Sequence, residues 1–223
     1  MPATLYQFPT SPLCAALRQI LHYKGVEFEA VEVDYLERKE LLLAAGGLLE
    51  PTLALPDGET VSGSEGIALR LDELYPEPTI LPPELRGIHI ALARYIDHDL
   101  EDALCRLALP DELACLRRLG AEHEAFFRLI RERKFGPGFC DRMAHEHPAN
   151  LARAGVLLAP FEEALAGKAF ILGRIGLCDF ALYGQLHYLA ISGQLKIPDQ
   201  FPNLRAFYGR VDRISSTLDD LGA

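Results

Sequence analysis

The sequence predicts two successive architectures, an α+β N-terminal part of order βαβαββα and an all-α helical bundle after it. Three observations carry this. Strand and helix signals alternate over the first eighty or so residues. Asp57-Gly58 joins two short apolar runs in the manner of a hairpin. Beyond the proline-rich stretch "PEPTILPPELRG" every periodic segment reads as helix.

Taken in order, "ATLYQF" reads as a short strand, and "CAALRQILHYKG" has helical periodicity with Gly25 as its C-cap. "FEAVEVDY" alternates with period two, which completes a βαβ unit and calls for a parallel pair with a right-handed crossover. "LERKELLLAAGGLL" is a second helix broken at Gly46 and Gly47, "TLAL" and "ETVS" are the hairpin strands, and "SEGIALRLDELY" is a third helix stopped by Pro76. Pro76, Pro78, Pro82 and Pro83 then mark a stiff linker. Helices are expected at about residues 84–108, 111–134, 148–166, 177–193 and 202–215. The chain divides accordingly into residues 1–78, a linker 79–85, and an all-helical part 86–223.

Composition narrows the function. A net charge of -10 argues against nucleic acid, whose phosphates need a cationic footprint. The short basic cluster Arg131, Arg133 and Lys134 lies among Glu122, Glu124 and Glu132 and reads as a solvated helix face. No apolar run reaches the roughly 18–20 residues of a membrane span, and "MPATLYQFPT" lacks the pattern of a signal peptide. The cysteines at 14, 105, 115, 140 and 178 form no C-x-x-C pair, which suits reduced thiols in a cytoplasmic protein. His145 and His147 fall on different helical faces, and no Cys/His set has ligand spacing, so no metal is expected.

The most informative stretch is "TSPLCAALRQ", where a strand turns into a helix with S-x-x-C spacing. Ser11 suits an N-cap and Pro12 the first helical position. A hydroxyl held there can also donate a hydrogen bond to a thiolate brought by a ligand. Cys14 keeps only the second, more buried position of a dithiol motif, so it reads as a packed residue and not as a nucleophile. Ser64 reads likewise as the N-cap of its helix.

"FPTSPLCAALR", Pro51, "SGSEGIALRL" and "FILGRIGLCDFALYGQL" together resemble the cytosolic glutathione transferases over essentially the whole chain. The resemblance implies a thioredoxin-like N-terminal domain, and glutathione as cosubstrate whose thiolate is conjugated to a small hydrophobic electrophile. It also implies a homodimer. It makes Ser11 the residue that lowers the thiol pKa, as in serine-type members; the tyrosine of other members falls at Gln7, and Tyr6 is one residue out of phase. Glutathione binding is implied for Pro51, as a cis-proline, for the backbone of Glu50, and for Ser64 and Glu65 at a helix start. Asp179 is implied as a buried structural acid. The first bundle helix is implied to face the substrate, and in "ARYIDHDLEDAL" the residues Tyr95, His98, Asp99 and Asp102 trace one helical face. Two other functions stay open: glutathione-dependent isomerisation or peroxide reduction, and a non-catalytic ligand-carrying or interaction protein, the latter favoured by Glu50 and Gly63.

Overall fold

The computed structural model describes residues 2–37, 51–191 and 196–219, with the backbone alone at 144 and 215–219. Strand β1 (Ala3–Gln7) runs parallel to β2 (Phe28–Glu32) and antiparallel to β3 (Thr52–Ala54). β3 pairs in turn with β4 (Thr60–Ser62), so the sheet order is β2-β1-β3-β4. Leu5 of β1 sits opposite Ala30 on one side and Leu53 on the other. Strand alternation buries Ala3, Leu5 and Gln7 and leaves Thr4 and Tyr6 half-buried on the other face.

Helix α1 (Pro12–Tyr23) starts at its N-cap Ser11. It ends where Gly25, at φ 64°, lets the Val26 amide reach the Leu21 carbonyl. The hairpin forms as expected, with Leu55 donating to the Glu59 carbonyl at 2.8 Å around Gly58 at φ 92°. Helix α2 (Ser64–Leu74) follows β4. The helix expected over residues 36–49 falls almost wholly outside the described residues.

The proline-rich segment is more than a spacer, because Ile80 and Leu81 are buried in the core. The enclosed ammonium of Lys24 donates to Asp72 at 2.7 Å and to the carbonyls of Tyr75 and Pro78 at 2.7 and 3.0 Å. All three of its donors are thereby used. Asp72 also accepts from the Ile80 amide at 2.8 Å and the Thr79 hydroxyl at 3.0 Å. One buried ion pair therefore ties the ends of α1 and α2 to the segment that leads into the helical half. Among the described residues the cis peptide bond is Glu77–Pro78.

That half begins with α3 (Arg86–Tyr95), a π-helical turn (Ile96–Leu100) and α4 (Glu101–Leu119). It continues through α5 (Ala121–Phe135), α6 (Phe139–His145), α7 (His147–Ala164), α8 (Leu177–Tyr188) and α9 (Pro202–Asp219). The expected break near residue 110 is absent: Pro110 lies inside α4, and the chain breaks at Gly120. A proline inside a helix costs about 3 kcal/mol, but fully burying a leucine returns about 1.5–3. Leu104, Leu109 and Leu113 are all buried around it, so packing wins. The short α6 was not anticipated from periodicity; buried Phe139 and Met143 anchor it. No helix of the described residues is long and apolar enough to cross a membrane.

The two halves share one core, in which Leu5, Leu17 and Ile20 meet Phe180, Leu182 and Leu186. Helix α8 passes so close to α1 at Gly184 that a Cβ there would stand 2.2 Å from the Pro12 carbonyl oxygen. At the start of α8, Asp179 is fully buried and accepts from the amides of Ile171 at 2.9 Å and Gly176 at 3.0 Å. Gly176 is the N-cap, and its backbone lies against the buried ring of His89, where a Cβ would stand 2.1 Å from Cε1.

Two outcomes follow from these close approaches. Gly184→Ala is expected to cost about 2–3 kcal/mol by overpacking, read as a lower urea midpoint. Gly176→Ser, although it supplies a capping hydroxyl, is expected to destabilise by about 1–3 kcal/mol. Combined with His89→Ala it should cost less than the two single changes summed, in a double-mutant cycle of denaturation midpoints.

Candidate active site

The β1–α1 turn places Ser11 as the sequence predicts. Its Oγ accepts from the Cys14 amide at 3.4 Å, and its own amide donates to the Phe8 carbonyl at 3.1 Å. Cys14 is fully buried beneath the turn. Gln7 is buried too and accepts from Arg18 at 2.6 Å, while Tyr6 lies on the other face of the strand. At this turn the hydroxyls are those of Thr10 and Ser11.

Ser64 is placed one residue later than expected, as the first residue of α2 and not its N-cap. The cap is Gly63, at φ 84° and ψ 137°, whose carbonyl accepts the first helical bond from Ile67 at 3.0 Å. The chain leaves β4 through a positive φ that a side chain disfavours, which moves the cap onto glycine. Gly63 also donates to the Pro51 carbonyl at 2.9 Å, so Pro51 is held against the start of α2. Glu50, and with it the Glu50–Pro51 bond, lies outside the described residues. The Glu65 carboxylate is gripped by Arg94 through bonds of 2.6 and 2.8 Å, which hold its pKa below the usual carboxylate range.

Two cavities flank the first turn of α1. The larger, about 350 Å³, lies among α1, α2, α3 and the π-helical turn and is lined by Ser64 and Glu65. The smaller, about 120 Å³, is lined by Ser11. Leu13 lines both, so Ser11 and Ser64 are neighbours across one side chain and do not share a single cavity.

Of the four residues expected to face substrate from the first bundle helix, His98 lines the larger cavity and the other three do not. Tyr95 stacks on Phe161 with ring centroids 6.4 Å apart, Asp99 is exposed, and Asp102 pairs with Arg106 at 3.1 Å and Arg153 at 3.8 Å. The cavity is lined instead by Arg94, Asp97, His98 and Glu101. The expected face was one residue out of phase. The lining keeps the i, i+3, i+4, i+7 spacing of the expected stripe, and packing selects its neighbour by turning Tyr95 onto Phe161. Asp97 accepts from Gln185 at 3.3 Å, and burial pushes its carboxyl up to about 6.

The smaller cavity holds groups that the sequence reading missed. Arg131, read above as part of a solvated face, turns inward: its guanidinium carbon lies 4.7 Å from the Phe127 ring centroid, and its Nη2 is 3.9 Å from Glu112. Glu112 is buried, accepts from the Tyr188 hydroxyl, and has the Thr10 hydroxyl 3.4 Å from its other oxygen. Burial pushes the Glu112 carboxyl up against the opposing pull of Arg131. Both residues had a signal in the sequence. Glu112 sits in the apolar stripe Leu109, Leu113 and Leu116, and Arg131 shares a face with Phe127 four residues earlier.

Among the described residues, His89, Cys178 and Asp179 bring ligand-type atoms within 4.8 Å of one another. Both Asp179 oxygens already accept backbone amides, which makes this trio part of the α8 cap.

This arrangement, a four-stranded mixed sheet with a serine-capped first helix followed by a helical domain, is that of the glutathione transferases. The sequence pattern of the glutathione S-transferase N-terminal domain matches residues 5–79, and that of the C-terminal domain matches residues 149–210. The chain belongs to the glutathione S-transferase family, with a thioredoxin-like N-terminal domain and a helical C-terminal one. No curated protein matches the sequence significantly.

Solved structures similar to it include the glutathione S-transferase of Ceriporiopsis subvermispora in complex with glutathione. That likeness has 18% identity and TM-score 0.78, over 100% of this chain and 98% of that one. A glutathione S-transferase from Rhodospirillum rubrum F11 is 20% identical, with TM-score 0.72, over 94% of this chain and 87% of that one. The β-etherase LigF from Sphingobium sp. strain SYK-6 is 18% identical, with TM-score 0.71, over 99% and 100%. At these identities the likeness is one of fold.

Asp97 gives the larger cavity a pH signature. Its folded pKa of about 6 lies above the ordinary carboxylate value, so the burial penalty is small at pH 4 and below, grows between that value and about 6, and is fully present above it. Asp97→Asn is expected to leave stability at pH 4 unchanged and to raise it at pH 8 by about 1–2 kcal/mol, measured by urea denaturation at both values.

Proposed function

We propose that the protein binds glutathione and uses its thiolate to attack an electrophile, with residues 1–78 as the glutathione-binding domain. The observation that supports this is the pair of helix starts on either side of Leu13. The first-turn amides of α2 and the Ser64 hydroxyl suit the γ-glutamyl carboxylate, because such amides have no acceptor within the helix. Ser11, at the positive end of α1, suits the thiolate, to which its hydroxyl can donate while still accepting from Cys14. Asp97, as a carboxylate above about pH 6, lies in the same cavity as Ser64 and suits the ligand's ammonium. With Arg94 holding Glu65, that side chain does not repel the anionic tripeptide. The Glu50 and Pro51 backbone contacts, the homodimer and a cytoplasmic location belong to the same reading.

Calorimetry with glutathione, together with ultraviolet absorbance of the bound thiolate, tests it. Ser64→Ala is expected to weaken glutathione binding about 10-fold or more, the worth of one hydrogen bond to a charged group. Ser11→Ala should leave affinity nearly intact but raise the pKa of the bound thiol by about 1–2 units. Failure of the unmutated protein to bind glutathione would overturn both enzymatic readings and leave the ligand-carrying one. Binding with an unshifted thiol in the unmutated protein would overturn the role of Ser11.

A further inference from the structure

The 120 Å³ cavity beside Ser11 is lined by groups that the glutathione reading does not use. Three parts of the helical domain converge on it, with Glu112 from α4, Arg131 from α5 and Tyr188 from α8. Its cation is under-used. Among the described residues the Nε of Arg131 is buried with no hydrogen-bond partner, and its acidic neighbour at ion-pair distance, Glu112, stands at 3.9 Å, well beyond a hydrogen bond. Glu112 meanwhile takes its own hydrogen bond from the Tyr188 hydroxyl and has Thr10 beside its second oxygen. A guanidinium with a free donor in a space of this size is an incomplete binding fork, and the complement of such a fork is a planar pair of oxygens.

We propose that this cavity is a subsite for a carboxylate carried by the acceptor substrate, with Arg131 as its counter-ion. The apolar lining comes from Phe8, Tyr35 and Phe127, which fits a flat aryl or unsaturated acid. Glu101 and Glu112 line the same cavity as the single guanidinium, so a dianion is disfavoured more than a monoanion, which sets carboxylate ahead of phosphate. The volume, room for about four waters, admits one such group and little more. The acceptor is thus an acid whose reactive carbon is presented to the thiol held at Ser11, which narrows the small hydrophobic electrophile expected from the sequence to one that carries a carboxylate. The acceptor's identity as a glutathione partner rests on the transferase reading above, whereas the carboxylate subsite stands on its own geometry.

Fluorine NMR titration of the whole protein with 4-fluorobenzoate and with neutral 4-fluorobenzamide, each with and without saturating glutathione, tests both parts. The acid is expected to bind at least about 10-fold more tightly than the amide. Arg131→Gln should abolish that preference while leaving glutathione affinity unchanged. Glu112→Gln, which removes the competing carboxylate, should strengthen fluorobenzoate binding severalfold. Equal binding of acid and amide to the unmutated protein overturns the proposal whatever the variants do. So does a preference that survives Arg131→Gln, or weaker acid binding in Glu112→Gln. Displacement of fluorobenzoate by glutathione assigns the subsite to glutathione's own carboxylate and overturns it as an acceptor site. If fluorobenzoate binds as expected and glutathione does not bind at all, the subsite stands and the transferase reading falls.

Discussion

Helix α8 touches helix α1 at Gly184, where no side chain could stand between the backbone and the Pro12 carbonyl oxygen. Pro12 is the first residue of α1 and follows Ser11 directly, so this close approach of the two domains falls on the turn that carries the candidate thiol site. Packing of this density leaves little room for relaxation, and a displacement of α8 is passed to the end of α1. The other end of α8 is fixed independently, by Asp179 below Ile171 and Gly176 and by His89 against the glycine. At the far end of α1, the buried Lys24–Asp72 pair does the same for the linker. A helix held at both ends and touched in its first turn is a rigid platform for a hydroxyl.

The two cavities on either side of Leu13 differ in character. One combines Ser64 with Asp97, a carboxyl whose pKa burial raises, and with the ion pair of Glu65 and Arg94. The other places a cation, the acids Glu101 and Glu112, and the hydroxyl-bearing Thr10, Tyr35 and Tyr188 next to Ser11. Burying so many ionisable groups costs stability unless each has a partner, and several here are only partly paired. Among the described residues Asp97 receives one amide donor, and the Nε of Arg131 has no acceptor. Such incompletely paired groups, collected at one turn, are what a binding site has before its ligand supplies the missing partners.

Much of this was legible in the residues. The hairpin at Asp57-Gly58, the serine cap with Pro12 behind it, the closure at Gly25 and the burial of Cys14 all follow from local chemistry that neighbours do not alter. The errors share one cause. Pro110, Ser64 and the face of the first bundle helix were each assigned from a regular helix considered alone. In the protein, leucine burial holds α4 together through its proline, a positive φ puts the cap on Gly63, and the packing of Tyr95 on Phe161 leaves the neighbouring stripe of Arg94, Asp97, His98 and Glu101 to line the cavity. Arg131 was misread because a charge run looks solvated until a second helix brings Glu112 to it.

The order of elements, the family pattern and the serine at the head of α1 can all be read from the residues alone, because capping, turn geometry and strand alternation act over a few neighbouring residues. Only the tertiary structure decided which acids face which cavity, that Gly176 and Gly184 are places of contact, and that Arg131 points inward. Those outcomes depend on distances between residues about 20 to 170 positions apart in the chain, and no local periodicity encodes them.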